Sequence, residues 1–384
     1  MSAPLFFLCA GEASGDVHGA NLMREIKARM PDARFIGVGG ERMRSEGLDC
    51  LVRAEELAVV GLMEVLRRIP FYFACIRQLA REMRARGASV FIPIDFPDFN
   101  LRLCRAARAQ GVRVVYYICP QVWAWRRGRI PQIEECVDLL LTIFPFEPRY
   151  FSKLRLTAVY VGHPLRDEVP LVEAEKPAPT AGAGVLAVLP GSRKSELQNH
   201  LPPLTAFLED FLARNPGVRV RIPCAQTLDP VELRARIHGN LPSSLAQQIE
   251  VVAPGHSSEV LRAADAALVA SGTSTLQTVL CNTPFAVFYH LHPLSWFIGR
   301  HLVKVRHVGL VNLIAEKEVC REFLQNEMTP ENLARESAAL LWNAPYRQAI
   351  LNSFRLIQHR LGDAGASQRA AEAILRFLER GEQP

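Results

Sequence analysis

The sequence predicts an α/β protein made of two successive parallel-sheet domains, and three observations carry the prediction. Short apolar runs rich in Val, Ile, Leu and Phe recur along the chain, each followed by a turn and a helical stretch, the alternation of βαβ units. The alternation begins twice, at Leu5–Ala10 and at Val185–Leu189, and the Ala/Pro/Gly/Glu-rich stretch 170–184 between them reads as a linker. The length of 384 residues suits two domains of ordinary size.

In the first half, the strand Leu5–Ala10 runs into GEASGDVHG (11–19) and a helix to about Met30. Gly11, Ser14 and Gly15 permit tight turning and close backbone approach, so this loop is a candidate ligand contact. Ser14 or Asp16 is expected to cap the helix, and His18 to lie on its surface. Arg34–Val38 is the second strand. Next comes 57–87, with six arginines against two glutamates among Leu, Ile, Phe and Tyr. Arg67, Arg68, Phe71, Phe73, Arg77, Arg81 and Arg84 fit either an anionic lipid surface or a solvated helix face, and Pro70 is expected to break or bend the segment. The strand Ser89–Ile94 ends in DFPDFN (95–100). Carboxyl ends of parallel strands border the ligand crevice, so Asp95 is the candidate general base. Asp98 or Asn100 can instead cap the helix expected at Leu101–Ala109. Val112–Ile118 precedes CPQVWAWRRGR (119–129), whose Trp123 and Trp125 suit a cleft lining or a core equally well. Asp138–Phe144 and Thr157–Val161 complete the half.

The second half opens on VLAVLPGSRKSE (185–196), a buried strand, a Gly/Ser turn and a helix from about Lys194 to Leu212. Such a turn aims backbone N–H groups and a helix N-terminus at an anion, and Arg193 is placed to fork onto phosphate oxygens; an ordinary βα loop with a surface arginine is the bland alternative. Val218–Ile222, Ile249–Val252 and Ala266–Val269 follow as strands. ASGTSTLQ (270–277) then places Ser271, Gly272, Thr273 and Ser274 at a second helix start, so one domain offers two anion-friendly loops, as a diphosphate would need. Phe285–Phe288 is the last clear strand. Helices are expected at Glu331–Leu341, Tyr346–Leu361 and Ser367–Arg380, the last packing back on the first domain. The domains read as 1–168 and 169–365, with 366–384 joining the first.

Composition narrows the classes. At 49% hydrophobic and 22% charged the chain is globular, and a net charge of +6 favours acidic partners without implying nucleic acid. Nine scattered cysteines without CxxC spacing read as reduced core residues. No signal peptide and no membrane-spanning run is visible. The absence of GxGxxG speaks against a dinucleotide-dependent dehydrogenase, and the absence of Asp-x-Asp against a metal-held diphosphate. Together the halves suggest a two-lobed nucleotide-sugar transferase.

Seven stretches in order, GEASGD (11–16), ELAVVGLMEVL (56–66), DFPDFN (95–100), VWAWR (122–126), VGHPL (161–165), LPGSRKSE (189–196) and ASGTSTL (270–276), resemble the lipid-A-disaccharide synthase family. The resemblance implies a GT-B fold, two Rossmann-like domains facing a central cleft. It also implies inverting transfer of 2,3-diacylglucosamine from UDP to the 6-hydroxyl of 2,3-diacylglucosamine 1-phosphate, with no cofactor and no metal. Another UDP-sugar transferase or a UDP-sugar epimerase is the nearest alternative. Carried over by position, Asp95 would be the base and Arg193 would neutralise the leaving diphosphate. Gly191, Ser192, Glu196, Ser271, Gly272, Thr273, Ser274, Gln277 and Asn312 would hold the donor. Gly11, Ser14, Gly15, Asp16, Asp98 and Asn100 would form an acceptor-side loop. Acylated substrates give the basic, apolar 57–87 segment a reason to rest on the cytoplasmic face of the inner membrane. The chain departs from the family at Gln277, commonly Glu, at Phe96, usually Ala, and at Val311, commonly Pro.

Overall fold

The computed structural model describes residues 4–57, 62–122, 127–174, 176–291 and 307–380; of residues 62–67 and 127 only the backbone enters the description. The chain divides into two compact units, Met1–Asp167 with Leu361–Pro384, and Glu168–Arg360.

Unit 1 is a seven-stranded parallel sheet in the order β3-β2-β1-β4-β5-β6-β7. The strands are β1 Leu5–Ala10, β2 Arg34–Gly39, β3 Leu48–Arg53, β4 Val90–Ile94, β5 Arg113–Tyr117, β6 Leu139–Thr142 and β7 Thr157–Tyr160. The central strands β1 and β4 are buried along their whole length because helices cover both faces, which is why they read as unbroken apolar runs. The helices that matter for the site are α1 Ala13–Arg29, α2 Glu41–Ser45, α3 Leu62–Ala85 and α4 Pro97–Arg108. Strand order reverses between β1 and β4, and open α/β sheets bind ligands beyond the strand ends at that switch point.

Unit 2 repeats the plan with six parallel strands in the order β10-β9-β8-β11-β12-β13. They are β8 Ala183–Leu189, β9 Gly217–Pro223, β10 Ile249–Val252, β11 Ala266–Ala270, β12 Phe285–Tyr289 and β13 Glu322–Leu324. Its switch point lies between β8 and β11. The helices used below are α5 Lys194–Arg214, α6 Ser257–Ala263, α7 Ser274–Leu280, α8 Leu310–Ala315 and α9 Ala344–Leu361. Part of the expected linker is laid onto this unit: Val172 N–H donates to Leu280 O (3.0 Å) and Lys176 Nζ to Ala264 O (2.9 Å).

The last helix, α10 Ala366–Glu379, belongs to unit 1 and packs along α1. Its buried stripe is Ala366, Ala370, Ala371 and Ile374, small enough for close helix contact. Asp167 caps it, Oδ1 accepting from Gly365 N (2.6 Å) and Ala366 N (3.1 Å) and Oδ2 from Ser367 N (2.9 Å). Arg29 Nη2 donates to Glu372 Oε1 (3.1 Å) across the pair. The nine cysteines are all unbridged, and eight are buried.

Three expectations about local structure need correction. Helix α4 starts at Pro97, the favoured first position, so neither Asp98 nor Asn100 caps it; the N-cap is Phe96. Helix α3 continues through Pro70, so the break offered as one alternative does not occur, although that residue has no N–H to give to Leu66. The linker stretch is partly strand, since β8 begins at Ala183.

Candidate active site

The candidate residues of the first half of the chain lie around the β1 and β4 ends of unit 1. Ala10 leads to Gly11, where a Cβ would run into the Phe96 ring, so the close approach of that ring explains the glycine. Glu12 is the N-cap of α1 and makes no side-chain cap bond; Ser14 and Asp16 lie within the helix. Asp16 is instead buried and caps α2, Oδ1 accepting from Gly40 N (2.7 Å) and Met43 N (3.0 Å) and Oδ2 from Arg42 N (2.9 Å). Its carboxylate thereby holds the β2–α2 turn. Ser14 is exposed and Gly15 lets α1 settle against Ala10. His18 is buried, contrary to expectation.

Asp95 follows β4 directly and has a left-handed backbone, with φ of 45°; Phe96 has φ of 50° and Ile118, at the end of β5, φ of 63°. Three adjacent non-glycine residues in this region are uncommon, and such strain concentrates at functional sites. Part of Asp95's surface stays accessible, but protein encloses most of its carboxyl group. Desolvation, reinforced by the nearby Glu12 carboxylate, pushes its pKa up to about 6, against the opposing pull of a Phe96 backbone hydrogen bond and His18.

The other predicted residues of this half have structural partners. Asn100 is fully buried, and its Nδ2 lies within reach of Cys9 O (3.2 Å), Ile94 O (3.4 Å) and Asp95 O (2.7 Å), tying the ends of β1 and β4 together. Asp98 is exposed and ion-paired with Arg129. Sequence reasoning missed His163, whose buried ring has its pKa pushed down to about 3, chiefly by desolvation, and so stays neutral. Its Nδ1 accepts from Leu165 N (3.2 Å). The GHP triplet was the available signal.

In unit 2, the turn after β8 puts Gly191 at φ 117°, where a Cβ would run into the Glu196 carboxylate. Arg193 is the N-cap of α5 in a reciprocal capping box. Glu196 Oε2 accepts from Ser192 N (2.9 Å) and Arg193 N (3.2 Å), and Oε1 from Arg193 Nη1 (3.2 Å). The N–H groups expected to cradle a phosphate therefore already hold a carboxylate, while half of the Arg193 side chain (51%) remains exposed. His200, unnoticed in the sequence, is fully buried and joins the turn to the β12 end: its ring bonds Pro190 O (2.7 Å) through Nδ1, and Nε2 accepts from His290 N (3.1 Å).

Beyond β11, Ser271 Oγ donates to Val308 O (3.1 Å), Gly272 has φ 156°, and Thr273 precedes α7 without a side-chain cap. Ser274 begins α7, where its carbonyl accepts from Thr278 Oγ1 (2.7 Å). Gln277 Nε2 donates to Ser258 Oγ (2.9 Å) on α6. Asn312, expected at the donor, has its hydrogen bonds within unit 2. It is fully buried on α8, with Nδ2 donating to Cys320 O (2.6 Å) and Glu322 Oε1 (2.8 Å) and Oδ1 accepting from Val319 N (2.7 Å) and Cys320 N (3.0 Å). The sequence could not show that its four hydrogen bonds all close locally.

Helix α3 buries Cys75, Ile76, Leu79, Ala80 and Met83, and exposes Ile69, Phe71 and Phe73 together with Arg68, Arg77, Arg81 and Arg84. The Arg68 guanidinium lies over the Phe71 ring (5.4 Å). The Arg67 side chain, the 58–61 motif segment and the Trp123–Arg126 tryptophan motif lie outside what is described. Among the described residues no helix is long and apolar enough to cross a membrane, and no cluster of three or more His, Cys, Asp or Glu is arranged to hold a metal ion.

A family profile described as lipid-A-disaccharide synthetase matches residues 6–374. A lipid-A-disaccharide synthase of Myxococcus xanthus is 39% identical over 383 residues, covering 98% of each chain. One from Anaeromyxobacter dehalogenans is 40% identical over 372 residues, covering 96% of each. Among solved structures, the calicheamicin glycosyltransferase CalG4 superposes with a TM-score of 0.58 over 99% of this chain and all of its own, at 15% identity, which places the two parallel-sheet units in the GT-B fold.

Proposed function

The chain belongs to the lipid-A-disaccharide synthetase family, and from that membership we propose how its residues divide the work. It is a glycosyltransferase that forms the lipid A disaccharide. In this reading the 6-hydroxyl of an acylated glucosamine 1-phosphate attacks the anomeric carbon of an acylated glucosamine held on UDP. The new C–O bond forms as the bond to the diphosphate breaks, configuration inverts, the hydroxyl proton passes to Asp95, and UDP departs.

The observation that carries this assignment is the carboxyl group at the β4 end, next to a switch point, with its pKa pushed up to about 6. Such a group is about nine-tenths ionised at pH 7 and accepts a proton more readily than an ordinary carboxylate. Asp98, exposed and held by Arg129, is the weaker candidate.

For the leaving diphosphate, α5 supplies a helix N-terminus and Arg193 a half-exposed cation. Glu196 marks where that helix end favours negative charge; a diphosphate arriving there exchanges partners with it and takes over the arginine. At the β11 end Gly272 and Thr273 add backbone and hydroxyl donors, while Ser271 gives its N–H to Phe288 O (3.1 Å) and its hydroxyl to Val308 O (3.1 Å) and so shapes the loop. Positive charge and aimed donors are what stabilise charge developing on the leaving group. The exposed Ile69, Phe71 and Phe73 beside Arg68, Arg77, Arg81 and Arg84 support peripheral docking on anionic lipid at the cytoplasmic face of the inner membrane, where acylated substrates reside.

The test is transfer by purified enzyme, measured by mass spectrometry with the UDP-linked and 1-phosphorylated diacylglucosamines. Asp95→Ala is expected to lose transfer while UDP binding, followed by calorimetry, stays within about two-fold of the parent. Retained transfer removes Asp95 from the role of base.

A further inference from the structure

The backbone around Asp95 is held from several sides. Two consecutive side-chain-bearing residues, Asp95 and Phe96, sit in the left-handed region, and Ile118 on the neighbouring strand end joins them. A β-branched residue in that region is an outlier, so something must hold the turn in place. Asp95 N–H donates to Tyr117 O (3.1 Å), and Asp95 O accepts from two side chains, Tyr116 Oη at 2.7 Å and Asn100 Nδ2 at 2.7 Å. The Tyr116 ring is fully buried in the sheet, so its hydroxyl is held from below by strand β5.

We propose that Tyr116 is a positioning residue for the transfer reaction, its hydroxyl clamping the Asp95 carbonyl so that the left-handed turn presents the carboxyl group to the acceptor. The proposal rests on Asp95 being the base. Asn100 binds the same carbonyl but also spans the β1 and β4 ends, so its loss would disturb the sheet. Among the described residues the Tyr116 hydroxyl bonds Asp95 O alone, which makes it the cleaner probe. Burial pushes the phenol well above its usual pKa, so it remains a donor throughout the working range. The groups facing the Asp95 carboxyl are Glu12 and His18 from the β1–α1 side, with Tyr116 and Cys119 from the β5 side.

Tyr116→Phe keeps the ring and leaves the carbonyl bonded to Asn100, so the fold is retained. With the turn released, the carboxyl group moves toward water. At pH 7 kcat is expected to fall about ten-fold or more with acceptor KM within about two-fold. The acidic limb of the kcat–pH profile is expected to move down by about one unit, toward an ordinary carboxylate. Melting temperature is measured alongside. Wild-type kcat with an unmoved acidic limb overturns the proposal. So does lost activity that follows a lowered melting temperature with the limb in place, because that is a structural role. Asp95→Ala run in parallel separates the two layers. If it is inactive while Tyr116→Phe is normal, the positioning role alone falls; if it is active, the base assignment falls and the positioning role with it.

Discussion

Asp95→Asn should make the protein more stable while making it inactive, and the gain should depend on pH. A carboxyl group with pKa 3.8 in the unfolded chain and about 6 in the folded one binds its proton more tightly when folded. Below pH 3.8 both states are protonated and the group is neutral in its effect. As pH rises the unfolded chain ionises first, so the folded state loses stability between about pH 4 and 6, and the loss is complete above. Worked from those two values, ionised Asp95 destabilises by about 2 kcal/mol at pH 5 and about 3 kcal/mol at pH 8. Asparagine has the same shape without the charge, so it should recover most of this. Urea unfolding at several pH values, or thermal melts where about 1 kcal/mol moves the midpoint by about 2–4 °C, would read it. The difference between variant and parent should grow by about 1 kcal/mol from pH 5 to pH 8. A variant that is less stable than the parent, or whose difference is flat with pH, would refute the claim that desolvation sets this group's acidity.

Arg193→Ala should raise the dissociation constant for UDP by about 10- to 100-fold, the worth of a charged hydrogen bond to phosphate, and lower turnover with it; calorimetry and steady-state rates check both. Replacing Arg77, Arg81 and Arg84 by Glu should abolish co-sedimentation with vesicles containing anionic lipid while leaving the melting temperature within about 1 °C, since all three are exposed. Asp167→Ala removes three hydrogen bonds from the start of α10 and should cost about 1–2 kcal/mol, seen as faster amide exchange concentrated in residues 366–379.

The central strands were legible because burial on both faces leaves no polar register to confuse the pattern: β1, β4, β11 and β12 are apolar from end to end. The edge strands β3 and β13 were not. Each has one neighbour in its sheet; β3 mixes Asp49, Cys50 and Arg53 into a half-exposed run, and β13 is only three residues long. Motifs picked out the loops beyond the strand ends but not the partners that their polar side chains take there. Asp16, Asn100, Glu196 and Asn312 all stand in motif-like positions, and each has backbone N–H or C=O groups as partners. A polar side chain in the first turn of a helix satisfies nearby peptides as readily as it meets a ligand, and spacing cannot distinguish the two. The left-handed run at Asp95, Phe96 and Ile118 left no trace either, because the usual signature of such backbone is glycine and none of the three is one.

The return of α10 to unit 1 has a consequence for how the protein is made. Synthesis proceeds from the N-terminus, so the ribosome must translate all of Glu168–Arg360 before the helix that completes the earlier sheet domain emerges. Until then the flank of α1 that α10 covers is without its partner, and the nascent first domain waits with an open seam. A chain cut after Arg360 would keep every strand of both sheets yet leave that seam permanently unclosed, and the length of the wait is set by elongation rate, not by contact strength.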